Sequence, residues 1–194
     1  MEKKEHNSTE MKQLAKKIEF LDNPERRGDI PPERLLSMLP IKKSDNFLDL
    51  GAGTGYITIP AAKVVEGMVY ALDTDSNMLE VVIAKAKKEN ITNIKTLKGN
   101  IDDIPLSDNS IDFALASLVL HEVKQLSSSL QQIKQVLKHD GYFVCIEFEK
   151  IDNPTHSHPR IASSIMEQEI TNAGLRVTQT IYPTDAIYII IAKK

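Results

Sequence analysis

The chain has 194 residues, enough for one ordinary domain with a real hydrophobic core, and its 41% hydrophobic and 26% charged residues exclude a wholly disordered, collagenous or disulfide-framework protein. Twenty-four Lys and Arg stand against 27 Asp and Glu, a formal net charge of -3, so no basic excess points to nucleic acid. The single cysteine, Cys145, can close neither an internal disulfide nor a Cys-based zinc cluster, and its solitary use fits a reducing compartment.

In chain order, Met11, Leu14, Ala15, Ile18 and Leu21 recur at helical spacing and predict an amphipathic helix whose apolar stripe must find a partner. Asn23-Pro24 breaks it, and after Pro31-Pro32 a second helix buries Leu35, Leu36, Met38 and Leu39. From Asn46 onward, short apolar runs alternate with helical patterns, the form of βαβ units around a mainly parallel sheet. Strands are expected at 46–50, 68–73, 94–98, 111–117 and 141–149, and helices at 54–65, 77–89 and 125–138. A helix over 161–173 turns Ile165, Met166, Ile170 and Ala173 inward and ends at Gly174 in a left-handed cap. The last two strands, Leu175–Ile181 and Ala186–Ala192, are separated only by Pro183-Thr184-Asp185, so they pair antiparallel. The expected fold is α/β: a doubly wound, Rossmann-like, seven-stranded mixed sheet with an antiparallel last strand. Residues 1–40 form a helical extension and 41–194 the main domain. No apolar stretch approaches the roughly 18 residues that span a bilayer. Met1–Gln13 is polar and lacks a signal-peptide core, so the protein is expected in the cytoplasm without a membrane partner.

The strongest motif is Asp49-Leu50-Gly51-Ala52-Gly53-Thr54-Gly55, placed where a buried strand gives way to a helix. Glycines there allow a tight turn and close approach of a ligand, and the helix start offers free N–H groups. The dinucleotide spacing Gly-x-Gly-x-x-Gly fails at Tyr56. Asp73, 24 residues after Asp49, ends the next strand with a carboxylate able to accept bonds from both hydroxyls of a ribose. Glycine turn and acidic strand end together point to a nucleoside-containing ligand.

Here the sequence resembles the class I S-adenosylmethionine-dependent methyltransferases, over about residues 24–193. FLDLGAGTGY looks like the first motif of that family, ALDTDSNML the second, KGNIDDIPLSDNSIDF the third, and ASLVLHEV with LKHDGYFVCIEF the fourth and fifth. NPERRGDIPPERLL and HPRI resemble segments of its small-molecule-type members. The resemblance implies S-adenosyl-L-methionine as cofactor. Gly51, Ala52, Gly53 and Gly55 would line its methionine and ribose portions above Asp49, and Asp73 would take the ribose hydroxyls. It implies Thr74 and Met78 near the adenine, Asn100 in place of the usual acidic acceptor of the adenine amino group, and the backbone N–H of Ile101 beside it. Asp102 is the next acceptor, and Ser117 and Leu118 approach the methionine end. Met78 reads equally well as plain core, and Asp102 or Asp103 as a turn cap.

Methyl transfer asks chiefly for alignment and exclusion of water, and for a base only where the acceptor loses a proton. His121, just after the fourth strand with Glu122 beside it, is the best titratable candidate, and a hydrogen bond that orients the loop is its other reading. Glu147, alternating with Ile146 and Phe148 as Glu149 does, is the second catalytic candidate, with a role at the strand end as the alternative. His156 and His158 lack a third partner at metal spacing, so no metal is expected. Arg26, Arg27 and Arg160 either rim an acidic acceptor or are solvated loop charges. The motif of amino-group nucleic-acid methyltransferases is absent where Ser117-Leu118-Val119-Leu120 stands. One strand-bound cysteine serves neither cytosine-C5 nor arsenite chemistry. The expectation is a methyltransferase for a small-molecule acceptor, with no nucleic-acid partner and the oligomeric state open. An NAD-dependent oxidoreductase and a non-catalytic binding module are the rivals.

Overall fold

The structure, a computed structural model, describes residues 2–27, 30–150 and 159–194, with side chains described for 11–25, 30–150 and 159–194. Seven strands, β1 Phe47–Leu50, β2 Val69–Asp73, β3 Ile94–Lys98, β4 Ile111–Ser117, β5 Leu137–Phe148, β6 Arg176–Thr184 and β7 Ile187–Lys193, form one sheet in the order β3-β2-β1-β4-β5-β7-β6. β1 pairs parallel with both β2 and β4, and β7 runs antiparallel between β5 and β6. Strand order reverses at β1 and β4, and their carboxyl ends open the crevice where such sheets take ligands.

The central strands are apolar on both faces because helices cover both. Along β1, Phe47 joins the layer under α2 (Pro32–Ser37) and α3 (Thr58–Val64), while Leu48 and Leu50 join the layer under α5 (Leu126–Val136) and α6 (Ser163–Asn172). β7 repeats the alternation, Ile187, Ile189 and Ile191 on one face and Tyr188, Ile190 and Ala192 on the other. Phe47 stacks on Phe113 with ring centroids 5.3 Å apart and ties β1 to β4. α4 (Ser76–Lys88) starts on Asp75, whose side chain accepts from the Asn77 N–H at 3.0 Å and caps the helix. Gly174, at φ +80°, ends α6 as its position predicts.

Several local expectations change. The third helix begins at Thr58 rather than 54, because Gly51, Gly53 and Gly55 all take positive φ and keep the chain in a turn. α5 stops at Val136, and β5 starts at Leu137 with a kink at Asp140 (φ +64°) where a separate turn is expected from His139-Asp140-Gly141. β6 runs on through Pro183, tolerable because β6 is an edge strand. Met38 and Ile165 are expected inward but lie 41% and 51% exposed. Met38 falls at the C-cap of a short helix, and Ile165 sits one residue off the Met166/Ile170 stripe. Met11 and Ala15 are also exposed, so among the described residues the apolar stripe of α1 (Glu2–Asp22) docks through Leu14, Ile18 and Leu21, which are half-buried. Among the described residues no helix is long and apolar enough to cross a membrane.

Candidate active site

A cavity of about 410 Å³ opens at the carboxyl ends of β1, β2 and β4. Its floor is the turn after β1, where Gly51 and Gly53 take φ +69° and +51°. A Cβ on Gly51 would lie 2.5 Å from Cγ2 of Val119, so the turn and the loop after β4 close on each other only because residue 51 has no side chain. Gly55 does not line the cavity. A Cβ there would lie 3.1 Å from Val82, so its role is to let α4 approach. Asp49 also stays beneath: it is buried and accepts from the Thr58 hydroxyl at 2.6 Å, which pins the first turn of α3 under the floor.

Asp73, at the end of β2, forms one wall. Its Oδ2 accepts from the Gly53 N–H at 2.7 Å and its Oδ1 from the Asp75 N–H at 2.8 Å, one bond per oxygen. A carboxylate offers about four lone-pair sites, so each oxygen keeps capacity for one of two adjacent hydroxyls. Beside it Thr74 is exposed, and Leu72, Met78 and Ile101 line an apolar slot, with Asn100 at its rim. Asp102 lines the cavity too, but its Oδ1 accepts from the Ser129 hydroxyl of α5, which favours the turn-holding reading.

The opposite wall is the loop after β4. Ser117 and Leu118 stand there as expected, and Leu118 is held at φ +55°, a conformation branched side chains seldom take, with its N–H on the Ile146 carbonyl at 2.8 Å. His121 and Glu147 do not line the cavity but meet directly behind this loop, His121 Nδ1 lying 2.7 Å from Glu147 Oε2. Glu147 is 1% exposed, and its Oε1 also accepts the Leu120 and His121 N–H groups at 2.8 and 3.4 Å. Glu149 lies beyond the end of β5 and accepts the Ser163 N–H at the start of α6 at 3.0 Å. Burial alone would raise its pKa, yet the donors of Ser163 and the Lys150 N–H outweigh that and hold it low. Arg160 donates to the Glu149 carbonyl at 3.0 Å and lies over the Phe148 ring, whereas His156 and His158, and the side chains of Arg26 and Arg27, lie outside the described residues.

Sequence reasoning missed part of the wall. Lys17 and Leu21 of α1 line the cavity, Lys17 bound to Asp75 at 2.7 Å, and Asp22 accepts from Thr54 at 2.6 Å and from Lys85 at 2.8 Å. Leu21 belongs to the stripe that predicts docking, but nothing in the pattern names its partner. Val119, Glu122, Val123 and Lys124 complete the far side, next in sequence to the predicted Ser117 and Leu118.

The description "Methyltransferase domain" fits a family model over residues 41–185. The chain belongs to the class I S-adenosylmethionine-dependent methyltransferase family. This methyltransferase chain is 27% identical to a solved SAM-dependent methyltransferase from Aquifex aeolicus, with a TM-score of 0.83 over 92% of this chain and 97% of that one. Two curated relatives are both named demethylmenaquinone methyltransferase. The Staphylococcus epidermidis protein is 31% identical over 75% of this chain and 61% of its own length, and the Geobacillus sp. protein is 33% identical over 59% and 50%. The chain therefore spans about half to three-fifths of the length of the curated relatives it matches. The cofactor of the family is S-adenosylmethionine, and the cavity suits it. Its volume falls in the range of small-molecule sites, the Asp73 oxygens keep acceptor capacity, and Leu72, Met78 and Ile101 give it an apolar wall.

Proposed function

We propose that this methyltransferase transfers a methyl group from S-adenosylmethionine to a small-molecule acceptor. One observation carries the reading: the Asp73 carboxylate, already holding the glycine turn through Gly53, faces a cavity that also gathers the apolar slot of Met78 and Ile101 and the strained Leu118 loop. In this reading Gly51, Ala52 and Gly53 carry the methionine and ribose portions and Asp73 takes the two hydroxyls. Thr74, Met78, Asn100 and Ile101 bracket the adenine, and Ser117 and Leu118 set the methionine end. Asp49, Gly55 and Asp102 act from beneath or beside, by holding the turn, admitting α4 and fixing the 100–103 turn.

When bound, the cofactor supplies an activated methyl on its sulfonium. The chain then has to align that methyl with the acceptor and keep water out. Water is excluded by the extension 1–40, whose α1 lays Leu21 and Lys17 on the cavity mouth and is tied down at Asp75, Thr54 and Lys85. The acceptor is taken as small because the curated relatives are named for a small molecule, and those names make a naphthoquinone compound the first acceptor to try. The buried thiol of Cys145 supports a cytoplasmic setting, and the acidic net charge speaks against a nucleic-acid partner.

The test is a calorimetric titration with S-adenosylmethionine, S-adenosylhomocysteine and NAD, followed by transfer of labelled methyl from the donor to a metabolite extract and to 1,4-naphthohydroquinone. Binding of the first two ligands without NAD, together with a labelled product, is expected. Tight NAD binding without S-adenosylmethionine would refute the cofactor, and binding with no labelled product from any acceptor would favour a binding module.

A further inference from the structure

The loop after β4 hangs from two consecutive residues of β5. Leu118 donates its N–H to the Ile146 carbonyl at 2.8 Å, and the N–H groups of Leu120 and His121 donate to Oε1 of Glu147 at 2.8 and 3.4 Å. The other oxygen of Glu147, Oε2, meets the His121 ring at 2.7 Å. A nearly inaccessible carboxylate thus turns both oxygens to one loop, and it does so from behind, since neither Glu147 nor His121 lines the cavity. The register explains the meeting. Ser117 of β4 pairs with Ile146, so residue 147 stands beside the point where the chain leaves β4, and on its other side it pairs with the fully buried Tyr188 of β7. A post set between two paired strands has little room to move.

What this post holds is a conformation that costs the loop free energy. Leu118 stands at φ +55°, where an L side chain is disfavoured, and Val119 packs so close to Gly51 that a Cβ on residue 51 would lie 2.5 Å from its Cγ2. The opposite wall says what the loop faces. In the reading above Asp73 takes the ribose and Leu72, Met78 and Ile101 flank the base. The remaining wall, from Gly51 to Leu118 and Val119, then falls to the amino-acid tail of the cofactor.

We propose that Glu147 is a positioning residue for that tail: it acts through the loop after β4, whose left-handed form it holds ready for the amino-acid portion of S-adenosylmethionine. The proposal rests on the site reading above and divides the walls of the cavity by the part of the cofactor each one serves. Without the clamp, Leu118 is freer to leave the left-handed region, and the competent loop is populated only in part. The cost of one left-handed residue corresponds to a population loss of about 5- to 30-fold, and apparent affinity falls with the competent fraction.

Two ligands separate this role from general support of the fold. S-adenosylhomocysteine carries the amino-acid tail, and methylthioadenosine keeps the adenine, ribose and sulfur without it. In calorimetric titrations Glu147→Leu, which removes both acceptor oxygens, should bind S-adenosylhomocysteine about 5- to 30-fold more weakly than the wild type and methylthioadenosine within about twofold of it. Asp73→Ala is the contrast: both ligands carry the ribose, so both should lose alike. Glu147→Gln keeps an oxygen for the Leu120 and His121 N–H groups and should stay within about threefold of the wild type for S-adenosylhomocysteine. Glu147→Asp keeps the charge but is one methylene shorter, so it should lose affinity for S-adenosylhomocysteine alone. It decides the matter by the same comparison if circular dichroism shows Glu147→Leu unfolded. A loss shared by both ligands, no loss for S-adenosylhomocysteine, or a Glu147→Gln protein as weak as the Leu or Asp variant would overturn the positioning role. A wild type that binds neither ligand, or only the one with the tail, would instead overturn the site reading, which gives base and ribose walls of their own.

Discussion

Replacing Gly51 by Ala probes the closure between the glycine turn and the loop after β4. Two costs follow from the geometry. The residue sits at φ +69°, where a Cβ costs about 1–2 kcal/mol. The new methyl would also meet Val119 Cγ2 at 2.5 Å and Cβ at 2.9 Å, so Val119 must move, an overpacking cost of about 1–3 kcal/mol. Gly53→Ala is the internal control: it has φ +51°, but its Cβ finds only Leu21 Cδ1 at 3.5 Å, ordinary contact, so it carries about 1–2 kcal/mol alone. At about 2–4 °C per kcal/mol for a chain of this size, Gly53→Ala should lower Tm by about 2–8 °C and Gly51→Ala by about 4–20 °C. Differential scanning calorimetry without ligand measures both. Adding Val119→Ala to Gly51→Ala removes the methyl groups at 2.5 and 3.3 Å but leaves Cβ at 2.9 Å, so part of the excess loss should return. Equal Tm losses for the two glycine variants, or no recovery in the double variant, would refute the clash.

Asp73→Ala should weaken binding of S-adenosylmethionine by about 10- to 150-fold, the equivalent of about 1.5–3 kcal/mol for hydrogen bonds to a charged group, with the fold retained by circular dichroism. Cys145 is fully buried, and burial, with Glu147 nearby, pushes its thiol well above the usual range, so a thiol reagent at pH 8 should label the native protein negligibly and react once on unfolding. The Lys17 ammonium, ahead of the Asn77 and Met78 N–H groups, holds Asp75 below the ordinary aspartate value of 3.8. A depressed carboxylate contributes stability that is complete above its unfolded pKa and lost as pH falls through the folded value. Protease cleavage within α1 should therefore be unchanged from pH 7 to 5 and rise below about 3.8.

Patterns confined to neighbouring residues are legible in the sequence itself. The turn at Gly51–Gly55, the strand end at Asp73 and the apolar runs of β4 and β7 each carry their own local signal, and each stands where that signal puts it. Met38 and Ile165 depart from expectation because helical periodicity says which residues share a stripe but not where a short helix ends or where its stripe is centred. The pairing of His121 with Glu147 spans 26 residues and depends on Ser117 standing beside Ile146, a register that no local pattern encodes. Lys17 and Leu21 are hidden for the same reason: an amphipathic stripe announces that it needs a surface without saying which one.

The fastening of α1 has a consequence for turnover. Its ties are half-exposed ion pairs and a hydroxyl bond, Lys17 with Asp75 and Asp22 with Lys85 and Thr54, and pairs of that kind are worth about 0–1 kcal/mol each. The sheet beneath is locked by two apolar layers, so lifting the helix does not disturb the strands that shape the cavity. In the proposed reading, where α1 covers the cavity, exchange of donor works against ties weaker than the packing of the sheet. Dissolved salt, which screens these pairs, would quicken that traffic while leaving the frame intact.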